Sequence, residues 1–248
     1  MRLDLATWQE VDAYLKTSGG IIIPTGSTEQ HGPMGLIGTD ALCAEHIAWC
    51  AGDLAGAYVA PTLAYTPAPF NMSFPGTISI SVPLFEELVT EILNGLIHHG
   101  FSTIYFINGH GANLAPLKRV ANKFTGAQIL IKSWWDFKTV NELRRDYYGD
   151  WEGMHATPSE IAITQATHRI LPPGSAIDPP IKLTLDYINE HSGDRHGPPE
   201  KHRAQFPDGR VGSHSALASA PHGIKMIEAA AAALADDYLA LLGSPRSR

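Results

Sequence analysis

The feature that most restricts how this 248-residue chain can fold is the alternation of short β-branched runs with segments of helical period. Residues 20–24 (GIIIP) and 103–107 (TIYFI) are nearly continuous apolar runs, the pattern of strands buried on both faces. Residues 57–63 (AYVAPTL) read as a second strand, weakened by Pro61, and residues 128–132 as a further one. Between them lie helical stretches at 39–51, 82–99, 114–124, 158–169 and 224–242. In 82–99 the residues Leu84, Leu88, Ile92, Leu96 and Ile97 recur at helical spacing, and Gly100 is a stop signal. Residues 64–77 are rich in Pro, Gly and Asn and read as a loop. Residues 171–215 are rich in Pro, Gly and His and read as irregular. Strands alternating with helices predict an α/β fold with a mostly parallel sheet covered on both faces. No repeat or linker divides the chain, so residues 1–248 are expected to form a single domain.

Composition excludes several functions. The net charge is −7, from 18 Lys+Arg against 25 Asp+Glu, and no basic stripe appears, so no nucleic-acid partner is expected. No run of about eighteen apolar residues suggests a membrane span. The start (MRLDLATWQE) lacks the apolar centre of a signal peptide, so a cytoplasmic location is expected. Cys43 and Cys50 are too few for a disulfide framework or a multi-thiolate metal site. Histidine is abundant, 12 residues, and its placement carries the functional reading.

Open parallel sheets bind ligands beyond the carboxyl ends of their strands. The first strand is followed by Glu29, His31 and then Asp40, and the third by the turn Asn108-Gly-His110-Gly-Ala-Asn113. Glu29 and His31 are two apart, so in extended chain both point to one side. Mixed imidazole and carboxylate ligands suit Zn, Mn or Fe, and a carboxylate can bridge two such ions about 3.5–4 Å apart. Each residue also has a plainer reading. Asp40 fits a helix N-cap, Glu29 a solvated loop position, and His110 a hydrogen-bonded turn histidine. Thr157, Pro158 and Glu160 form a capping-box pattern that competes with a ligand role for Glu160. His155 precedes that cap with no structural duty, and is a candidate proton donor. Trp134, Trp135 and Trp151 fit the walls of a small planar substrate site or the core equally well. The turn residue Asn108 is a further candidate substrate contact.

Several segments in order resemble the creatininase (creatinine amidohydrolase) family: Thr28-Glu29-Gln30-His31-Gly32-Pro33 with Gly38-Thr39-Asp40, Phe74-Pro75-Gly76-Thr77, Asn108-Gly109-His110-Gly111-Ala112-Asn113, and His155-Ala156 followed by Glu160. A stretch from Gly212 to Gly223 is similar to a C-terminal segment of the family. The resemblance implies a three-layer α/β/α fold, a homohexamer, and two divalent metal ions per chain acting on a small-molecule amide through a metal-bridging hydroxide. Carried over by position, Glu29, His31, Asp40, His110 and Glu160 would be metal ligands, with Asp40 bridging. His155 would be the proton donor and Trp151 a substrate-loop residue. This chain departs from creatininase proper at Ala112, where that enzyme has a glutamate ligand, and at Met34, Pro158, Ser213 and His214. The departures make creatinine doubtful as substrate, and the formyl hydrolase and peptidase readings fit the missing turn glutamate best, a non-peptide amide being the reading taken. A metal-dependent peptidase of the same family is the alternative, as is a catalytically idle member that only binds metal or a small molecule. Lys118, Arg119, Arg144 and Arg145 are the cations available for an anionic substrate, surface positions being the plainer reading. His191, His196, His202 and His214 crowd the irregular segment; solvated loop positions are the expected reading, with two of them reaching the site as the alternative.

Overall fold

The computed structural model describes residues 1–193 and 195–243. Four strands form one sheet: β1 (Gly20–Thr25), β2 (Tyr58–Val59), β3 (Thr103–Asn108) and β4 (Gln128–Ser133). Their order is β2-β1-β3-β4, and every pairing is parallel. Such pairing requires crossover connections, which the intervening helices supply.

Side-chain alternation along the strands divides the core in two. Ile21 and Ile23 of β1, with Ile104 and Phe106 of β3, enter one apolar cluster. There they meet Val11 and Tyr14 of α1 (Trp8–Leu15), Phe85, Val89 and Leu93 of α3 (Val82–His98), and Leu117 and Val120 of α4 (Leu114–Ala121). Ile22, Tyr105 and Ile107 enter the other. They meet α2 (Thr39–Ala55), α5 (Lys138–Tyr148), α6 (Pro158–Thr167) and α9 (Ala220–Gly243). The result is the three-layer α/β/α arrangement, and both faces of β1 and β3 are dry, as their unbroken apolar runs require. Two short helices, α7 (Leu185–His191) and α8 (Pro199–Gln205), lie in the segment expected to be irregular.

The second strand is shorter than 57–63. Ladder bonds run to Ala60, whose N–H donates to Ile22 O, and resume where Leu63 N donates to Pro24 O; Pro61 has no N–H to contribute between them. Helix α2 continues a turn beyond residue 51 and stops at Gly56, whose φ of +63° suits only an unhindered residue. Helix α4 ends at Ala121 rather than 124. Helices α1 and α5 have no counterpart in the sequence reading. α1 is amphipathic over two turns only and begins at a Thr7–Glu10 capping box. α5 is strongly polar, with few apolar positions to reveal its period.

Helices α6 and α9 cross at Gly223, where a β-carbon would lie 2.0 Å from Ala162 O. Replacing Gly223 by Ala forces these helices apart and should lower stability by about 1–3 kcal/mol, the usual cost of overpacking. The unfolding midpoint in guanidinium chloride measures this; an unchanged midpoint contradicts the close crossing.

Candidate metal centre

The carboxyl ends of β1, β3 and β4 are level, with Thr25 beside Asn108 and Asn108 beside Ser133. The loops leaving them therefore open at one edge of the sheet. β1 delivers Glu29 and His31, β3 delivers His110, and β4 delivers Trp134 and Trp135. α2 begins under the same edge and carries Asp40 in its first turn. Two glycines allow that approach: a β-carbon on Gly26 would meet Ala41 N at 2.2 Å, and one on Gly109 would meet Asp40 O at 2.3 Å.

Asp40 is at the centre. It is 3% exposed and makes no capping bond, so the N-cap reading does not account for it. His31 Nε2 lies 2.8 Å from its Oδ1, and His110 Nδ1 lies 3.0 Å from its Oδ2. Ser27 Oγ donates to Oδ2 at 2.8 Å. Both histidines are held from behind. His31 Nδ1 donates to Glu29 O at 3.0 Å, and His110 Nε2 donates to Pro67 O at 2.9 Å. Each ring thus turns its remaining nitrogen towards carboxylate, with the outer N–H on a backbone carbonyl, as in metal-ligating imidazoles.

Glu29 is fully buried. Its Oε2 accepts from Asn71 Nδ2 at 3.0 Å. Its Oε1 makes no hydrogen bond, although His110 Nδ1 is 3.2 Å away and His155 Nδ1 3.7 Å away. Glu160 belongs to the capping box: its Oε1 accepts from Thr157 N at 2.6 Å, and its own N–H donates to Thr157 Oγ1. The same Oε1 is 3.9 Å from His31 Nε2, so the cap aims the carboxylate at the centre rather than away from it.

One atom each from Glu29, Asp40 and His110 lies within 4.8 Å of the others, and the same holds for His31, Asp40 and Glu160. Glu29, His31 and His155 form a further such group. Three buried carboxylates around two imidazoles, with an orphaned carboxylate oxygen among them, are a donor set that fits divalent cations. Electrostatics agrees. Burial alone would lower the His31 pKa, but the facing Asp40 pushes it up to about 10. His110 is likewise raised against the effect of burial, by Glu29 and Asp40. Burial opposes ionisation of Asp40 and Glu29, yet the facing histidines hold both below the usual carboxylate value. Glu160 is pushed up to about 8 by burial, with His31 opposing.

His155 is 5% exposed, and burial followed by the neighbouring His31 lowers its pKa to about 4. Its Nε2 donates to Gln30 O at 2.7 Å, and its ring centre is 4.4 Å from that of His31. The next residue, Ala156, has φ of +56°, and Ser215 Oγ holds its carbonyl at 2.6 Å. A non-glycine residue in the left-handed region is strained, and such strain recurs where a side chain must be aimed.

A cavity of about 190 Å³ opens beside the centre. Asp40, His110, His155, Glu160, Trp134 and Trp135 line it, but neither Trp151 nor Asn108 does. Trp151 packs edge-on to His214, with Lys182 Nζ 4.5 Å from the ring centre. The Asn108 amide organises the turn: Nδ2 donates to His110 O at 2.7 Å, and Oδ1 accepts from His110 N at 3.2 Å. Residues missed in the sequence reading are Asn71, Ser27 and Phe70. The ring of Phe70 lies near those of His110, His155, His196 and His202. His202 is 3% exposed and His196 half-buried, a correction to the expectation that both are solvated. They pack on Phe70, a contact that residue spacing does not reveal. Lys118 and Arg145 are exposed, and Arg119 pairs with Glu86 on the surface. Cys43 and Cys50 are free thiols.

The family model described as creatininase, creatinine amidohydrolase, matches residues 4–238. The chain belongs to the creatininase family. Among curated relatives, it is 37% identical over 103 residues to the mycofactocin precursor peptide peptidase of Mycolicibacterium smegmatis, 39% of this chain and 41% of that protein. It is 29% identical over 146 residues to the 3-dehydro-scyllo-inosose hydrolase of Thermotoga maritima, 55% of this chain and 47% of that protein. The matched segments thus span less than half the length of these relatives. A crystal structure of creatininase superposes with a TM-score of 0.84 at 20% identity, covering 98% of both chains. A manganese creatininase structure superposes at 0.77 with 21% identity, covering 98% of this chain and 99% of that one. A glutamate-to-glutamine creatininase variant described as Zn-Zn type gives 0.77 at 20% identity over 98% of each chain. These likenesses show that the creatininase fold is shared. No helix among the described residues is long and apolar enough to cross a membrane.

Ligation requires deprotonated side chains. With the His31 pKa near 10 and that of Glu160 near 8, both carry protons at neutral pH, and the raised pKa of His110, set by Glu29 and Asp40, acts in the same direction. Zinc loading at about pH 7 should therefore release protons, and apparent affinity should climb with pH towards about 10. Titration calorimetry in buffers of different ionisation enthalpy reads the proton count. A buffer-independent heat with pH-independent affinity contradicts the assignment of His31 and His110.

Proposed function

We propose that residues 1–248 form one metallohydrolase domain that cleaves a C–N bond of a small, formyl or cyclic amide at the Asp40 centre. The single observation that carries this reading is the Asp40 carboxylate, with one oxygen towards His31 and the other towards His110. Glu29 and His110 would hold one divalent ion (Zn, Mn or Fe), His31 and Glu160 the other, and Asp40 both. Two such ions supply a water acidified towards neutrality and an electrophile for the amide carbonyl. The remaining work falls to the chain. Asn71 fixes the Glu29 carboxylate through its second oxygen. Ser27 fixes Asp40. His155, held neutral by its burial, can take a proton at Nδ1 and return it to the departing nitrogen, while its Nε2–H stays on Gln30 O. The inner wall of the cavity, formed by Asp40, His110, Trp134, His155, Thr157 and Glu160, is buried, and its outer rim at Ser192 and Gly193 is open to solvent.

The peptidase reading is favoured by one observation, the 37% identity to a mycofactocin precursor peptide peptidase. Formate release from formamides against amine release from short peptides separates the two. Assembly into a homohexamer belongs to the same proposal. Exposed Ile78, Val82, Leu84 and Leu88 supply apolar surface for such contacts.

Asp40→Ala should take bound metal from two ions per chain to none and lower amide hydrolysis by at least about a hundredfold, since nucleophile and electrophile go together. Metal analysis of the purified variant measures this. Retention of two tightly held ions refutes the bridging role.

A further inference from the structure

Of the four cations that the sequence offers for an anionic substrate, only Arg144 reaches the cavity. It lies on α5, and its side chain is 19% exposed. Its guanidinium is held on two sides. Nε donates to Glu152 Oε1 at 2.8 Å, and Nη1 donates to Asn141 Oδ1 at 2.9 Å. Both anchors are themselves fixed: Ser159 Oγ donates to the same oxygen of the buried Glu152, and Asn141 Nδ2 donates to Trp135 O. The carbon of the guanidinium sits over the Trp134 ring, 5.9 Å from its centre. A fork fixed in this way leaves Nη2, with its two N–H groups, without an acceptor among the described residues. Arg144 is partly exposed on the cavity wall, so this end of the fork is open to an acceptor that enters the cavity.

We infer that Arg144 determines specificity by receiving the carboxylate of a small monoanionic amide. This rests on the amidohydrolase reading above and adds the substrate class, an N-acylated amino acid or a like acyl-amino carboxylate. Among the described residues the lining contains one guanidinium and no lysine, which suits a single negative charge rather than a phosphate dianion. The volume of about 190 Å³ suits a molecule of this size and not a nucleotide. Arg144 anchors the carboxylate end, and the acyl carbon is then left to face Asp40 and His155 on the same cavity.

The test compares N-formylglycine with its uncharged carboxamide, N-formylglycinamide, on the zinc-loaded protein and on the Arg144→Met and Arg144→Lys variants. Calorimetry gives binding, and formate release gives kcat and KM. The wild type should favour the carboxylate by about 10- to 100-fold in Kd and kcat/KM, the worth of hydrogen bonds to a charged group. Arg144→Met should erase that preference, the carboxylate losing about 10- to 100-fold more than the carboxamide in Kd and kcat/KM. Arg144→Lys keeps a charge beside Glu152, and so guards against misfolding, but loses the planar fork; it should retain only part of the preference. Equal treatment of the two ligands by the wild type, or a preference that survives in Arg144→Met with an unchanged melting temperature, overturns the inference. If the carboxylate binds preferentially through Arg144 but no formate appears, the anion site stands and the hydrolase reading fails. Binding of neither ligand overturns the anion site, while formate release without preference removes it and keeps the hydrolase.

Discussion

One carboxylate, that of Asp40, stands between two imidazoles delivered by different strands, and the organisation of the sheet edge follows from it. A buried carboxylate is costly unless positive charge or hydrogen bonds meet it. Here both oxygens are met, one by His31 and one by His110, and Ser27 adds a neutral donor. The helix that carries Asp40 can approach only because Gly26 and Gly109 leave room for its backbone. The outer N–H groups of the two histidines are tied to Glu29 O and Pro67 O, so neither ring can turn away. The centre is thus set by backbone geometry, with the side chains given little freedom to leave it.

The loop that follows β2 acts on the centre indirectly. Gln30 accepts from Gly32 N through Oε1, and its Nε2 donates to Asn71 Oδ1 and Gly209 O. Its backbone N–H is held by Thr77 Oγ1. Asn71, so fixed, presents its amide to Glu29 and lies 3.3 Å from His155 Nε2. Segments distant in sequence therefore hold the ligands and the proposed proton carrier in one hydrogen-bonded frame. Phe70 closes the frame on its apolar side, beside His196 and His202.

The sheet was legible from GIIIP and TIYFI because strands buried on both faces cannot hide their apolar runs. Helix α5 was not, since its polar outer surface leaves too few buried positions to show a period. The second strand misled because Pro61 interrupts pairing that resumes two residues later. For the centre, the residues after strands were informative: Glu29, His31, Asp40 and His110 do share one space. What spacing could not decide was Glu160, where a capping box and a place beside His31 turn out to be compatible. Nor could it place Trp151 and Asn108, which lie off the cavity wall, or pick Arg144 from its neighbour Arg145. That choice depends on the rotation of α5 against the sheet.

The most direct measurement of the central claim is anomalous diffraction from crystals loaded with zinc or manganese. The account predicts two peaks about 3.5–4 Å apart, one beside each oxygen of Asp40, the spacing of paired catalytic ions. A single peak, or a pair that leaves Asp40 uncoordinated, contradicts it.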